Sequence, residues 1–356
     1  MAVDSRLDGS TPIRAAIGVV AIGRNEGPRL AECLESIAGI DHLVYVDSGS
    51  TDGSDRVALD LGADVVRLTS GPPFTAAWAR DAGVDRLAQR APGLDYVMFI
   101  DGDCTLDPGW LGRAVAALDA DPGLAVVCGR RREREPGRSV FRRLLDIEWD
   151  VPPGRSVDDC GGDAAFRISA YRDAGGYARD LPVGEEPELC HRLRDRGWRI
   201  DRIDAEMTSH DMGEASIGPW WRRHARQGYA ALDIARRFPG PSGPYRRRVR
   251  SAWVWGVAVP AGILAASAVG PRLIDASPIA CGLAAAMVYP LQVARMARQV
   301  RHRVDGLGLR LAYGLAIVAA SWAHLAGQAT YLADRLAGRA PRLLEYRASR
   351  EAPAAE

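Results

Sequence analysis

The sequence contains no lysine, and all 46 of its basic side chains are arginine. A genome rich in G and C explains this bias, so the absence excludes no class of function. An excess of either charge is also missing, because 45 acidic side chains leave a net charge of +1. The chain as a whole has no basic field that would attract a nucleic acid, and we expect no nucleic-acid partner.

Cysteine is scarce and dispersed. The six cysteines are Cys33, Cys104, Cys128, Cys160, Cys190 and Cys281. None belongs to a Cys-x-x-Cys pair, which argues against a structural zinc site or a disulfide framework and indicates a reducing compartment. The N-terminal tail, residues 1–14, is polar and lacks the apolar run of a signal peptide. We therefore expect the domain that follows it to remain in the cytoplasm.

Residues 15–238 have the pattern of an α/β domain. Short runs rich in β-branched residues alternate with segments of helical periodicity, which indicates βαβ units and a mostly parallel sheet. The first predicted strands are Ile17–Ile22, Leu43–Val46, Asp64–Leu68 and Tyr96–Ile100. Ligands of such sheets bind beyond the carboxyl ends of the strands, so we expect the loops at these ends to meet in one crevice.

The pattern is less regular after the fourth strand. Further strands are predicted at Leu124–Val127 and Trp198–Ile203, with helices at Pro187–Arg196 and Ile217–Phe238. A linker rich in proline, glycine and arginine, residues 239–250, then separates this domain from a region of different composition.

Residues 251–334 contain three segments without a formal charge, of 19, 19 and 23 residues. They are Ala252–Gly270, Ala276–Ala294 and Leu311–Ala333. Each is long enough to cross a hydrocarbon core of about 30 Å, so we predict two to three membrane spans. The alternative is a set of buried helices in a soluble domain, because alanine and glycine make the segments only moderately apolar. A basic polar tail, residues 335–356, follows.

Arginine placement predicts the orientation of these spans. Four arginines precede the first segment and four follow the second, and the positive-inside rule places both flanks in the cytoplasm. Pro271–Asp275 would then form a short outer turn. The third segment is preceded by Arg310 and followed by a basic tail, and it carries His324 and Gln328, which are costly in lipid. It either crosses the membrane or lies at its surface.

Five short polar motifs follow one another along the first domain. They are Gly23-Arg24-Asn25-Glu26, Asp47-Ser48, Asp101-Gly102-Asp103, Gly161-Gly162-Asp163 and Gly184-Glu185-Glu186. By its own chemistry the Asp-Gly-Asp turn favours a divalent cation carrying a diphosphate, because two neighbouring carboxylates need a cation or hydrogen-bond donors. In their order and spacing the motifs resemble those of family 2 glycosyltransferases with the GT-A fold, over roughly residues 15–235.

This resemblance implies a nucleotide-sugar site. Asn25 and Glu26 would line the nucleotide pocket, although Asn25 is equally suited to cap the helix that follows it. Asp47 would accept the imide N–H of a uracil base, with Ser48 standing where many members have a second acid. Arg80 would reach the diphosphate, unless it is a plain surface arginine. One glycine of the fourth motif, Gly162, would also belong to the donor site.

The resemblance further implies a metal site and a general base. Asp103 would bind Mg2+ or Mn2+ directly, Asp101 would bind the ribose or the metal through water, and His210 would complete the metal ligands. Glu186 would deprotonate the acceptor hydroxyl, with Glu185 as its competitor, since the family usually has Glu-Asp at this helix start. The macrodipole of the helix also favours acidic residues there without any catalytic role.

The sequence therefore predicts an inverting glycosyltransferase at the cytoplasmic face of the membrane. The donor would be a nucleotide sugar, preferably a UDP-sugar, and the acceptor a hydroxyl on a lipid-linked or cell-envelope glycan. Residues 220–223, Trp-Trp-Arg-Arg, suit a membrane surface or a phosphate, or form a solvated basic face. The alternatives are a nucleotidyltransferase and a non-catalytic membrane scaffold that retains the fold.

Overall fold

The computed structural model describes residues 16–68, 74–213, 215–240 and 245–339. The chain divides into two compact units, Met1–Gly213 and Glu214–Glu356. The boundary predicted from the sequence lies later, after residue 238. The structure instead groups the long helix that begins at Ile217 with the second unit. The functional boundaries drawn from the sequence stay a prediction.

Eight strands within the described residues of the first unit form one mixed sheet. The strands are β1 (Ile17–Gly23), β2 (Leu43–Asp47), β3 (Asp64–Arg67), β4 (Tyr96–Asp101), β5 (Cys104–Leu106), β6 (Leu124–Glu133), β7 (Ala164–Arg167) and β8 (Arg199–His210). Their order is β3-β2-β1-β4-β7-β6-β8-β5. Four of the seven pairings are parallel, which agrees with the predicted fold class.

Seven α-helices surround this sheet in the part of the first unit that the structure describes. They are α1 (Pro28–Ser36), α2 (Ser54–Asp60), α3 (Ala76–Arg90), α4 (Trp110–Ala120), α5 (Val140–Trp149), α6 (Ile168–Asp173) and α7 (Glu185–Asp195). A single 3-10 turn, Pro136–Arg138, precedes α5.

The strand ends lie side by side at one edge of the sheet. In the parallel ladders Gly23 of β1 is paired with Asp47 of β2, and Ile22 is paired with Asp101 of β4. The interiors of these strands are almost wholly buried, as expected for apolar runs covered on both faces. The loops after β1, β2 and β4 therefore meet, as the sequence predicts.

The short strand β5 curls the sheet back on itself. Only Gly102 and Asp103 separate β4 from β5, and such a connection spans roughly 11 Å at most. Yet β5 stands at the far edge of the sheet, where Cys104 is paired with His210 of β8. The sheet must therefore curve until β5, at its edge, lies next to the end of β4 in its centre. This curvature brings the Asp-Gly-Asp turn to the end of β8.

Three of these strands differ from the sequence-based prediction. β5 is absent from it, β6 continues six residues beyond Val127, and β8 continues seven residues beyond Ile203. The extensions carry charged residues and are only partly buried, so they lack the apolar run that identifies a central strand. Pairing with each other, rather than intrinsic propensity, makes them strands.

The second unit is helical in its described residues. Its helices are α8 (Ile217–Arg237), α9 (Arg246–Trp253), α10 (Val259–Leu273), α11 (Pro278–Ala286), α12 (Val288–Gln299) and α13 (Leu307–Leu336), with a π-helical turn, Val254–Ala258, between α9 and α10. Three helical stretches of 28, 22 and 30 residues are long and apolar enough to cross a membrane. They correspond to the three uncharged segments of the sequence.

Helices α8 and α13 approach each other through glycines. A methyl group at Gly327 would overlap the carbonyl oxygen of Ala225, and one at Gly228 would overlap the backbone of His324. Small residues permit such close approach of helix backbones.

We expect the substitution Gly327→Ala to loosen this contact, because an added methyl group has no room and overpacking costs about 1–3 kcal/mol. The apparent melting temperature of the detergent-solubilised protein should fall. Gly308→Ala on the same helix is the matched control, since no atom lies within 4 Å of its added methyl group. Equal melting temperatures for the two variants would contradict the contact.

Candidate active site

Arg80 of α3 lies at the centre of the acidic crevice. Its guanidinium is 2% exposed and forms three ion pairs: Nη2 is 2.8 Å from Oδ1 of Asp101, and Nη1 is 2.9 Å from Oε1 of Glu185 and 3.3 Å from Oε1 of Glu186. The ring of Tyr177 lies 5.6 Å from the same guanidinium. One arginine thus joins the end of β4 to the start of α7, and it is not a surface residue.

Asp101 is held from several sides. Its second oxygen, Oδ2, lies 3.5 Å from Nη2 of Arg131, and its backbone N–H donates to Oδ1 of Asp163 at 2.9 Å. The other oxygen of Asp163 accepts the hydroxyl of Thr208 at 2.7 Å. Burial raises the pKa of Asp101 above its ordinary value, against the lowering effect of Arg80. Its carboxylate is therefore oriented by arginines.

Asp103 faces His210 across the turn. Oδ2 of Asp103 lies 3.3 Å from Nε2 of His210, because the pairing of β5 with β8 places the two residues at the same end of the sheet. Burial by itself would lower the pKa of His210, but Asp103 and Glu133 outweigh it, and the pKa is raised. Two residues far apart in sequence, both predicted as metal ligands, are thus brought together.

A second group of possible ligands lies nearby. Asp101, Cys104 and Asp163 place one ligand atom each within 4.8 Å of one another. Burial raises the pKa of the Cys104 thiol well above its usual value, and a protonated thiol is a poor ligand for Mg2+ or Mn2+. Both oxygens of Asp163 also accept hydrogen bonds. The oxygen and imidazole donors of Asp103 and His210 fit such a cation better.

The loop after β1 is tied to the loop after β2. The backbone N–H of Asn25 donates to Oγ of Ser50 at 3.0 Å, and its side-chain Oδ1 accepts the N–H of Thr51 at 2.8 Å. Asn25 therefore links two loops and does not cap α1, which begins after a glycine without a side-chain cap. Glu26 forms an ion pair with Arg29, at 3.3 Å.

Asp47 shapes the loop that it begins. It is 4% exposed, and its Oδ2 accepts the backbone N–H groups of Gly49 at 3.1 Å and Ser50 at 2.9 Å. Tyr45 donates its hydroxyl to Oδ1 at 3.4 Å. The backbone N–H of Ser48 bonds to the last residue of β1, at 3.0 Å. The predicted base-binding residues, Asp47 and Ser48, thus lie where the strands end. The carboxylate of Asp47 also accepts hydrogen bonds from the backbone of the loop that it begins.

The pair Glu185 and Glu186 begins α7, directly after Gly184 in a left-handed conformation. Burial and the neighbouring Glu185 raise the pKa of Glu186 to about 8, although Arg80 opposes the shift. A methyl group on Gly162 would lie 2.9 Å from Oδ2 of Asp101 and 3.4 Å from Oε1 of Glu186. The same methyl group would lie 2.9 Å from Nη2 of Arg80, so a glycine at this position lets the backbone pass close to the arginine and to the two carboxylates that it joins.

Asp81, which follows Arg80 on α3, is a buried carboxylate. Its carboxylate accepts hydrogen bonds from the hydroxyl of Tyr171, the backbone of Tyr177 at 3.0 Å and Nε of Arg179 at 2.6 Å. Its negative charge is matched by Arg179.

Sequence reasoning missed three residues of the site. Arg131 and Glu133 lie in the charged extension of β6, and Asp163 was noted only as part of a motif. The charged run Arg-Arg-Arg-Glu, residues 130–133, resembles a solvated loop in the sequence, so it does not indicate a buried site. The only usable signal was the glycine pair before Asp163, which marks close backbone approach.

The curled sheet and its acidic edge define a transferase of GT-A fold. A solved mannosyltransferase from Pyrobaculum calidifontis, in complex with GDP-Man and Mn2+, shares this fold with a TM-score of 0.54 and 17% identity, over 90% of this chain and 88% of that one. The family model for glycosyl transferase family 2 matches residues 19–175.

Two relatives are similar in sequence. An uncharacterized glycosyltransferase of Mycobacterium bovis is 30% identical over 211 residues, 57% of this chain and 89% of the relative. The pre-mycofactocin glycosyltransferase of Mycobacterium tuberculosis is 29% identical over 250 residues, 66% of this chain. The matched region spans about half of that relative, 51% of its length. The chain belongs to glycosyl transferase family 2.

We expect Arg80→Gln to lower the free energy of unfolding by about 3–5 kcal/mol, because it leaves buried carboxylates without their cation. The loss should shrink as the pH falls from about 8 to about 5, since protonation removes the repulsion. Arg86→Gln, on the same helix with a more exposed partner in Asp64, should cost less than about 1 kcal/mol. Chemical denaturation measures both, and similar losses would contradict the assignment.

Proposed function

We propose that this glycosyltransferase moves a sugar from a nucleotide sugar, preferably a UDP-sugar, to an acceptor hydroxyl with inversion. The observation that carries the proposal is the pair of carboxylates, Asp101 and Glu186, which Arg80 holds together beside Gly162. A donor held at the first carboxylate would have its anomeric carbon within reach of an acceptor activated at the second. This arrangement suits a single displacement.

The donor site is proposed at the strand edge. Asn25, Glu26, Asp47 and Ser48 would contact the nucleoside, because their loops meet beside Asp101. Arg80 supports this site because its ion pairs orient Asp101 and the two glutamates. Its positive charge would also stabilise the diphosphate of the donor.

Asp103 and His210 would hold a divalent cation, Mg2+ or Mn2+, with Asp101 beside them. Such a cation, when bound, neutralises the charge that develops on the departing nucleoside diphosphate. The protein contributes the fixed pairing of β5 with β8, which sets the separation of the two ligands.

Glu186 is proposed as the general base. Its carboxylate would take the proton of the acceptor hydroxyl while the oxygen attacks the anomeric carbon and the bond to the diphosphate breaks. Two features favour it over Glu185: its side chain is the more exposed, 17% against 8%, and its raised pKa suits proton uptake near neutral pH. Glu185 would instead keep Arg80 in place.

The acceptor is proposed to be a lipid-linked or cell-envelope glycan at the cytoplasmic face of the membrane. Three helices of membrane-spanning length and their arginine-rich flanks support this location. On α8, Trp221 and Arg222 are exposed, a combination that suits the membrane surface or an anionic headgroup.

We expect Asp103→Ala to abolish donor turnover, measured as release of nucleoside diphosphate by the purified protein with Mn2+ and a panel of nucleotide sugars. Removal of one metal ligand should leave the melting temperature nearly unchanged, because the side chain is partly exposed. Asp107→Ala, at an exposed ion pair after β5, should retain activity. Activity of the Asp103 variant near that of the wild type would exclude the proposed metal site.

The same assay separates the alternative functions. A nucleotidyltransferase would release pyrophosphate from nucleoside triphosphates, and a scaffold would show no turnover with any donor.

The pH dependence of kcat/KM for the acceptor tests Glu186. A base with a pKa of about 8 is mostly protonated and inactive below that value, so kcat/KM should rise with pH and level off above about 8. Glu186→Gln should lose most of the activity together with this rise, whereas Glu185→Gln should retain the rise. A variant at 186 with an unchanged pH profile would assign the base elsewhere.

A further inference from the structure

His210 has a carboxylate on each side of its ring. Nε2 faces Asp103, as described above, and Nδ1 lies 3.5 Å from Oε2 of Glu133. The register of the parallel ladder pairs Glu133 of β6 with His210 of β8, so the two side chains are neighbours on the sheet. The ring of Trp149 stands nearly perpendicular to the imidazole, with centroids 4.6 Å apart. The imidazole is therefore fixed in its plane as well as at both nitrogens.

Glu133 is itself held in place. Its side chain is fully buried, and Oε1 lies 2.5 Å from Nη1 of Arg142, which is 4% exposed. Nη2 of Arg142 bonds to Oδ1 of Asp211 at 3.0 Å and to the carbonyl oxygen of Gly213 at 2.6 Å. This arginine thus fastens Glu133 to the segment that directly follows His210.

Stability alone gives a weak reason for such a pair. Removing two charges from water is costly, and apolar residues of similar size are often at least as stabilising as a buried ion pair. Orientation of a metal ligand gives a stronger reason. Histidines that bind metals commonly donate their other ring N–H to a carboxylate, which fixes the tautomer and the ring orientation.

We propose that Glu133, held by Arg142, is the positioning residue of His210. Its carboxylate accepts the Nδ1–H, so that Nε2 carries the lone pair directed at the cation site beside Asp103. The inference rests on the proposed metal site, which it extends by two residues.

Mn2+ affinity of the full-length protein, measured by calorimetry, tests the proposal without any need for the sugar or acceptor. Glu133→Gln keeps the size of the side chain and removes its charge, and affinity should fall by about 10–100-fold. Glu206→Gln is the matched control, because it makes the same change on β8 at a side chain that is 48% exposed and paired only with arginines in the contacts described. It should bind Mn2+ as the wild type does.

A second measurement distinguishes positioning from general support. Long-range proton–nitrogen NMR with Mg2+ in place of Mn2+ reports which ring nitrogen of His210 is protonated, with the signal assigned by its loss in His210→Gln. The wild type should carry the proton on Nδ1, and Glu133→Gln should shift it partly to Nε2. If Glu133→Gln does not fold, Glu133→Asp retains the charge but withdraws the oxygen, and the same shift is expected.

The outcomes are separable. Absence of Mn2+ binding by the wild type would overturn the proposed metal site itself. Binding by the wild type together with unchanged affinity and tautomer in the Glu133 variants would overturn the positioning role alone.

Discussion

Arg80 has to neutralise three carboxylates in a place that water barely reaches, and the geometry of the crevice follows from that requirement. Its two terminal nitrogens contact Asp101, Glu185 and Glu186, which belong to a strand end and a helix start far apart in the chain. Without the cation these acids would repel one another in a medium of low polarity. The arginine therefore sets the spacing of the three acids.

The second constraint is the curl of the sheet. Because only two residues connect β4 to β5, the turn that carries Asp103 must stay beside the end of β8. This connection places His210 opposite Asp103 and, through the register of β6 with β8, places Glu133 behind His210. A backbone pairing pattern thus brings together a turn and two strand ends that are far apart in the sequence.

Much of this protein could be predicted from particular residues. The apolar strands ending in Asp47 and Asp101 indicated the parallel half of the sheet and the crevice at its edge, because alternation of strands and helices leaves few topologies. Asp103 and His210, both expected from the sequence to be metal ligands, lie side by side, and their metal-binding role stays a prediction. Arg131, Glu133 and Asp163 escaped prediction, since a charged strand extension resembles a loop until its partner strand is known.

The sequence by itself determined the class of fold, the apolar helices of the second unit and the identity of most acids in the crevice, because these depend on local periodicity and short motifs. Only the tertiary structure decided that Arg80 is buried among carboxylates, that Asn25 joins two loops instead of capping a helix, and that Glu133 lies behind His210. Each of these facts depends on contacts between residues distant in sequence, and the pairing of strands that creates such contacts leaves no local pattern in the chain.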